Sequence, residues 1–324
     1  MKTKSLKLIS VPSEIAAGTR GASMGYQALV VASLNAKSKF FFDKEVAEVE
    51  TENELLLDEN PYPYAKRING VKNVLTNVSD SVAEELSEEN FPLVLAGDHS
   101  TAAGTISGIK KANPGKRLGV IWIDAHGDLH TPYTTPSGNM HGMPLAMVAG
   151  IDNLEQQINE PKEQTKELWE DIKNIGIDGP KVEMDDIVFI GVRDTEDPED
   201  RLIEKYGIRN IKVSEVKEMG AVNAAQEALD LLKNCDIIYV SFDVDSMDSR
   251  ISAGTGTPVI DGLSVEEARD INRQLVANDK VVCWEMVEIN PTLDQENTMA
   301  ENAFNILVQV TETVESKIQE SCKA

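Results

Sequence analysis

The sequence predicts a doubly wound α/β fold, a single parallel sheet with helices on both faces. Three observations lead there. Short runs rich in Val and Ile recur along the chain and are nearly continuous in hydrophobicity, as in LGVIWID (118–124) and CDIIYVSFDV (235–244). Strands buried on both faces have this composition, and parallel sheets bury both faces. Longer amphipathic stretches separate the runs, so strand and helix alternate. No internal repeat or low-complexity linker interrupts the pattern, so residues 1–324 are expected to form one domain.

In chain order, the expected strands are LKLISV (6–11), FPLVLAG (91–97), LGVIWID (118–124), DIVFIGV (186–192), IRNIKV (208–213), CDIIYVSFDV (235–244) and VVCWEMVEI (281–289). The stretch 41–64 is acidic, ends in PYPY and reads as irregular. Helical periodicity marks 69–90, AVNAAQEALDLLKN (221–234) and SVEEARDINRQLVAND (264–279). The last opens with Ser264-Val-Glu-Glu267, a capping-box signature. Residues 151–185 hold one helical stretch, EPKEQTKELWEDIKN (160–174), between polar flanks. They read as an excursion over the surface that overhangs a pocket or reaches a neighbouring subunit.

The charge balance narrows the function. There are 31 Lys plus Arg against 55 Asp plus Glu, a formal charge of −24. Binding phosphate backbones or anionic membranes needs clustered positive charge, so nucleic acid and membrane surfaces are excluded as partners. Such a surface keeps the chain soluble and attracts cations. Cys235, Cys283 and Cys322 are odd in number and widely spaced, which fits neither a disulfide framework nor a zinc ribbon. Cys235 and Cys283 adjoin apolar runs and are expected in the core. No apolar stretch reaches membrane-spanning length. MKTKSLKLISVP lacks the apolar segment of a secretory leader, so a cytoplasmic protein is expected.

The chemistry collects at the strand ends, where open α/β sheets place their sites. LVLAG runs into Asp98-His99-Ser100, GVIWI into Asp124-Ala-His126-Gly-Asp128, IIYVSF into Asp243-Val-Asp245 and VVCWEMV into Glu288-Ile-Asn290-Pro291. In extended chain alternate side chains share a face, so Asp124, His126 and Asp128 converge, and so do Asp243 and Asp245. Packed carboxylates cannot all stay ionised without a counter-charge, and one or two divalent cations supply it. Donors of oxygen and imidazole without thiolate suit Mn²⁺ better than Mg²⁺, with Zn²⁺ left open. Three of the four histidines fall between 126 and 141, and the fourth is His99.

With these residues assembled, the chain resembles the ureohydrolase family of arginase, agmatinase and their relatives. The matching segments are AGDHS (96–100), DAHGD (124–128), SFDVDSMD (241–248) and EINP (288–291). SGNMHGMP (137–144) and SAGTGTPVIDGL (252–263) look most like arginase. The resemblance covers roughly residues 5–310 and implies a sheet of about eight strands, a homotrimer or homohexamer, and two Mn²⁺ per subunit. One ion would be held by His99, Asp124, Asp128 and Asp243, the other by His126, Asp124, Asp243 and Asp245. It implies that a water between two dications loses a proton near neutral pH and attacks the guanidinium carbon of a small-molecule guanidino substrate. Asp128 would pass that proton to the leaving nitrogen, and Glu288 would hold the planar, always charged guanidinium. His141 would carry protons to and from solvent, a task suited to imidazole.

The implied reaction is hydrolysis of L-arginine to L-ornithine and urea. Thr135, Ser137 and Asn139 match the loop that receives the amino acid's carboxylate, and hydroxyls and an amide do this without adding charge. The segment Arg193–Glu199 resembles the one that meets the α-amino group, with Glu196 and Glu199 as its contacts. Two residues depart from the arginase pattern: His130 where asparagine is usual, and Glu196 where aspartate is usual, with Asp197 beside it. Both lie at the amino-acid end of the pocket, so agmatinase, guanidinobutyrase and formimidoylglutamase activities stand as alternatives, as does a metal-holding scaffold without turnover.

Overall fold

The computed structural model describes residues 4–321. Its eight strands are β1 (Leu6–Val11), β2 (Val46–Glu48), β3 (Phe91–Ala96), β4 (Leu118–Ile123), β5 (Ile187–Ile190), β6 (Arg209–Ile211), β7 (Ile237–Asp243) and β8 (Val281–Val287). They form one sheet in the order β2-β1-β3-β8-β7-β4-β5-β6, and every pairing is parallel. The expected fold class is the observed one.

Alternation along each strand builds two cores. Leu93, Leu95, Ile121 and Ile123 face one side with the helices Gly25–Asn35, Ala221–Leu231, Val265–Val276 and Thr298–Ser321. Val94, Val120, Trp122 and Phe189 face the other with Ile68–Ser87, Thr101–Ala112, Pro144–Ala149 and Glu163–Lys173. Both faces are covered, which is why the strands lack a polar side. The capping box on Val265–Val276 is present: the Glu267 N–H donates to Ser264 Oγ at 3.1 Å and the Ser264 N–H donates to Glu267 Oε2 at 2.8 Å. Cys235 and Cys283 are buried free thiols, as expected, and Cys322 lies outside the described residues.

Two segments differ from the sequence reading. The stretch 41–64 is not wholly irregular, because it contributes β2, paired to β1 from Val46 to Glu48. This strand is three residues long with two exposed positions and sits at the sheet edge, so it carries no run of buried apolar residues. Residues 151–185 do not overhang the cleft described below. Their helix Glu163–Lys173 buries Trp169, whose Nε1 donates to Asp152 Oδ1 at 2.9 Å. Ahead of it, Asn159 Nδ2 donates to the Thr135 carbonyl at 2.6 Å and the backbone N–H of Asn159 donates to the Tyr133 carbonyl at 2.9 Å. The segment braces the loop that carries Thr135.

Candidate active site and metal centre

The chain order of the strands reverses between β3 and β4, which flank β8 and β7. That is where doubly wound sheets open a crevice beyond their carboxyl ends. All four of these strands feed a cleft of about 330 Å³. His99 follows β3, Asp124 follows β4, Asp243 closes β7 and Glu288 follows β8. Asp128 and Glu288 hold φ of 50° and 67°. Non-glycine residues rarely adopt that left-handed conformation, and it concentrates at functional sites.

Five of the six predicted ligands assemble into two groups that share Asp124, His99–Asp124–Asp128 and Asp124–His126–Asp245, and Asp243 joins neither group but lies against His99. His99 Nδ1 lies 3.0 Å from Asp124 Oδ2, 3.1 Å from Asp128 Oδ2 and 3.1 Å from Asp243 Oδ2. His126 Nδ1 lies 3.1 Å from Asp245 Oδ2 and 3.5 Å from Asp124 Oδ1. His99 Nδ1 and Asp124 Oδ2 are fully buried and, though 3.0 Å apart, lack the geometry of a hydrogen bond to one another or to any other group among the described residues. Buried polar atoms seldom go unsatisfied, and two aimed at one another among carboxylates fit a cation held between them. His99 Nε2 meets Ser241 Oγ at 2.8 Å, and a ring nitrogen engaged this way leaves Nδ1 as the ligand. Trp122 stacks on the same ring, centroids 4.1 Å apart and planes within 5°.

The electrostatics show the crowding. Burial, then Asp245 and Asp124, push the Asp243 carboxyl well above its usual range. Burial and Asp124 raise Asp128 to about 6. Burial opposes protonation of His99, but Asp124, Asp128 and Asp243 outweigh it and raise its pKa well above normal. Protons on acids and imidazoles compensate charge that a dication would otherwise meet. Asp98 of the same AGDHS segment takes no part. Its oxygens accept from the N–H and Oγ of Ser100, from Ser13 Oγ and from the Ala16 N–H, so it pins the loop.

Glu288 stands beside the ligand groups, 2 % exposed. Its Oε1 accepts from the His99 N–H at 2.9 Å and lies 3.1 Å from His141 Nδ1. Oε2 receives no hydrogen bond among the described residues. Burial works against the Glu288 anion, yet His141 holds its pKa below the usual value.

Thr135, Ser137 and Asn139 also line the cleft. Each has an acceptor occupied by the protein: Thr135 Oγ1 by the Gly138 N–H at 2.9 Å, Ser137 Oγ by the Asn139 N–H at 3.1 Å, and Asn139 Oδ1 by Lys66 Nζ at 2.9 Å. The remaining hydroxyl and amide hydrogens are donors, the arrangement an anion requires. His130 is tied at both ring nitrogens, with Nδ1 at 3.3 Å from Thr134 Oγ1 and Nε2 at 3.3 Å from Glu196 Oε2 and 3.6 Å from Glu199 Oε2. Glu199 is buried and braces the wall. Its Oε1 accepts from the Leu129 N–H at 3.0 Å and its Oε2 from the Glu196 N–H at 3.1 Å.

The cleft thus contains every predicted site residue except Asp124, which lies buried beneath it. Sequence reasoning assigned no role to Ser241, Thr257 or Lys66. Ser241 precedes Asp243 by two residues on the same strand face, a spacing that signals it. Thr257 Oγ1 donates to Asp245 Oδ2 at 3.2 Å from within the quoted GTGTP segment. Lys66 has no local signal, because its partner lies 73 residues away.

Comparison with known proteins agrees with this geometry. The arginase family model matches residues 4–311. The arginase of Brevibacillus brevis is 36% identical over 320 residues, covering 95% of this chain and 97% of its own. The crystal structure of arginase from Bacillus cereus superposes with a TM-score of 0.79 at 30% identity, over 95% of this chain and 98% of that one. The Entamoeba histolytica arginase in complex with L-ornithine gives 0.79 at 26% identity, over 96% and 99%. In sequence and in fold, the chain belongs to the arginase family.

Proposed function

We propose that this hydrolase of C–N bonds in linear amidines converts L-arginine to L-ornithine and urea. One observation carries the choice of substrate. The cleft is lined both by an open carboxylate oxygen, Glu288 Oε2, beside the ligand groups and by a set of free donors, Thr135, Ser137 and Asn139. Arginine has a guanidinium at one end and a carboxylate at the other. Agmatine lacks the carboxylate and would leave those donors unmatched.

His99, Asp124, Asp128 and Asp243 would hold one cation, and His126, Asp124, Asp243 and Asp245 a second, with Asp124 and Asp243 shared. Two divalent cations there, Mn²⁺ by the donor set, would lower the pKa of water so that hydroxide is available near neutral pH. Glu288 binds the guanidinium and fixes its carbon against the ligand groups. Asp128, held at φ 50° in the left-handed backbone region, accepts the nucleophile's proton and passes it to the departing nitrogen. His141, with its side chain 19% exposed, links that chemistry to solvent, and Glu288 fixes its ring through Nδ1. Glu196 and Glu199 face the ammonium end, with His130 between them. We further propose a homotrimer or homohexamer in the cytoplasm, consistent with the absence of any helix long and apolar enough to cross a membrane among the described residues.

The test is urea release from L-arginine against agmatine by Mn²⁺-loaded protein. A site built around a substrate anion is expected to favour arginine by about 10⁴ in kcat/KM. Equal turnover, or turnover of agmatine or guanidinobutyrate alone, would remove arginine as the substrate.

A further inference from the structure

The side chain that sets the sense of Asn139 is neither a ligand of the ions nor part of a recognised motif. Lys66 reaches the pocket wall from the turn ahead of the helix Ile68–Ser87. Its Nζ donates to Asn139 Oδ1 at 2.9 Å, and its backbone N–H donates to the Gly138 carbonyl at 2.8 Å. An ammonium has donors only, so the amide must turn its oxygen toward Lys66 and its NH₂ away. No acceptor among the described residues takes that NH₂. The NH₂ itself fills the space that a side chain at residue 18 would take, since a Cβ on Gly18 would lie 2.7 Å from Asn139 Nδ2.

Charge points the same way. Lys66 is partly buried, forms no ion pair among the described residues, and is pressed by Arg67 and Arg20. Those two guanidinium groups also end on neutral oxygens. Arg67 Nε donates to the Ile15 carbonyl at 2.6 Å, and Arg20 Nη1 to the Thr19 and Glu14 carbonyls at 2.8 and 3.1 Å. In a chain of formal charge −24, three cations that form no ion pair among the described residues gather behind one donor, with Asp98 the carboxylate that acts on Arg67. Burial and then the two arginines lower the Lys66 pKa, the mark of a site short of negative charge.

We propose that Lys66 is a specificity-determining residue: it locks Asn139 as a donor and polarises it toward the carboxylate of an amino-acid substrate. The inference rests on the arginine reading and assigns its selectivity to a residue outside the pocket lining. Lys66→Met removes the ammonium and lets the amide rotate, whereas Lys66→Arg keeps a cationic donor.

Two measurements test it. In urea-release kinetics, Lys66→Met is expected to raise KM for L-arginine about tenfold, as loss of one charge-assisted contact would, with kcat little changed. Titration calorimetry is independent of turnover. L-Ornithine should bind Lys66→Met about tenfold more weakly, 1,4-diaminobutane at least as tightly as it binds the wild type, and Lys66→Arg should recover most of the loss. Equal affinity of wild type and Lys66→Met for ornithine would overturn the proposal. So would equal loss of both ligands, or a wild type that does not prefer ornithine to diaminobutane. A wild type that prefers ornithine but releases no urea from arginine would overturn the proposed reaction and leave the Lys66 assignment standing.

Discussion

Removing divalent cations should cost this protein a measurable part of its stability. Four carboxylates, Asp124, Asp128, Asp243 and Asp245, are at most 7 % exposed and share one small volume with His99. Two buried atoms in it, His99 Nδ1 and Asp124 Oδ2, have no hydrogen-bond partner. Leaving a buried polar group unsatisfied costs about 1–3 kcal/mol, so ligation that satisfies both recovers roughly 2–6 kcal/mol. With about 2.1 cal/mol/K of unfolding entropy per residue, a chain of 324 residues gains roughly 1.5 °C in Tm per kcal/mol, so Mn²⁺ should raise Tm by about 3–9 °C over protein stripped with a chelator. Differential scanning calorimetry reads the shift, and elemental analysis of dialysed protein reads the count, expected to be two ions per chain. Asp124→Asn strikes both ligand groups at once and should abolish most of the shift and the uptake. A Tm that moves by less than about 1 °C on adding Mn²⁺, or an Asp124→Asn variant that takes up metal like the wild type, would show that the strand-end acids are not the metal centre.

Other expectations follow from single contacts. Gly138 has φ +76°, and a Cβ on it would meet the Pro63 carbonyl oxygen at 1.9 Å; Gly138→Ala should displace the Thr135–Asn139 loop and raise KM for arginine at least about tenfold, and an unchanged KM would detach that loop from the substrate. Glu288→Gln keeps the shape and removes the charge. It should retain metal content while kcat/KM for arginine falls about 10–100-fold, and full activity in the variant would end the guanidinium assignment. Lys181 is 3 % exposed with Nζ on the Gly179 carbonyl at 2.8 Å, and burial lowers its pKa from 10.5 to about 8. Between those values the unfolded chain binds the extra proton, so on this group's account stability rises with pH across that window. Lys181→Met should flatten the rise when urea midpoints are compared near pH 7.5 and 10, and an unaltered slope would assign it to other groups.

How far the sequence carried depended on how local each signal was. Asp124, His126 and Asp128 lie in one short segment, and Asp243 and Asp245 in another, so alternation in extended chain was enough to bring each set together. Central strands announce themselves by unbroken apolar runs, because both faces are buried. The edge strand Val46–Glu48 escapes that test, since most of its side chains face water and its pairing with β1 is a matter of backbone alone. The brace that Asn159 gives to the Thr135 loop and the contact between Lys66 and Asn139 join segments 24 and 73 residues apart. Neither segment has a pattern of its own, so only the folded chain shows them. His130 falls between these cases: its departure from asparagine was visible, but not that Thr134, Glu196 and Glu199 would occupy its ring.

The distribution of charge through the cleft explains why a strongly acidic chain can select an amino acid. At the ligand groups the acids outnumber the imidazoles, so cations and then a guanidinium are favoured there. Around Asn139 the sign reverses, because Lys66, Arg67 and Arg20 end on carbonyl or amide oxygens and keep their field. Arginine brings a guanidinium at one end and an ammonium with a carboxylate at the other, so its carboxylate is drawn toward Lys66, its ammonium toward Glu196 and Glu199, and a reversed ligand sets the guanidinium against like charge. Agmatine, cationic at both ends, gains at Glu288 and loses beside Lys66. Discrimination of this kind is weakened by salt, whereas discrimination by hydrogen-bond geometry is not. The ratio of kcat/KM for arginine over agmatine should therefore fall as ionic strength rises, and a ratio independent of salt would mean that the donors of Thr135, Ser137 and Asn139 act without help from the cations behind them.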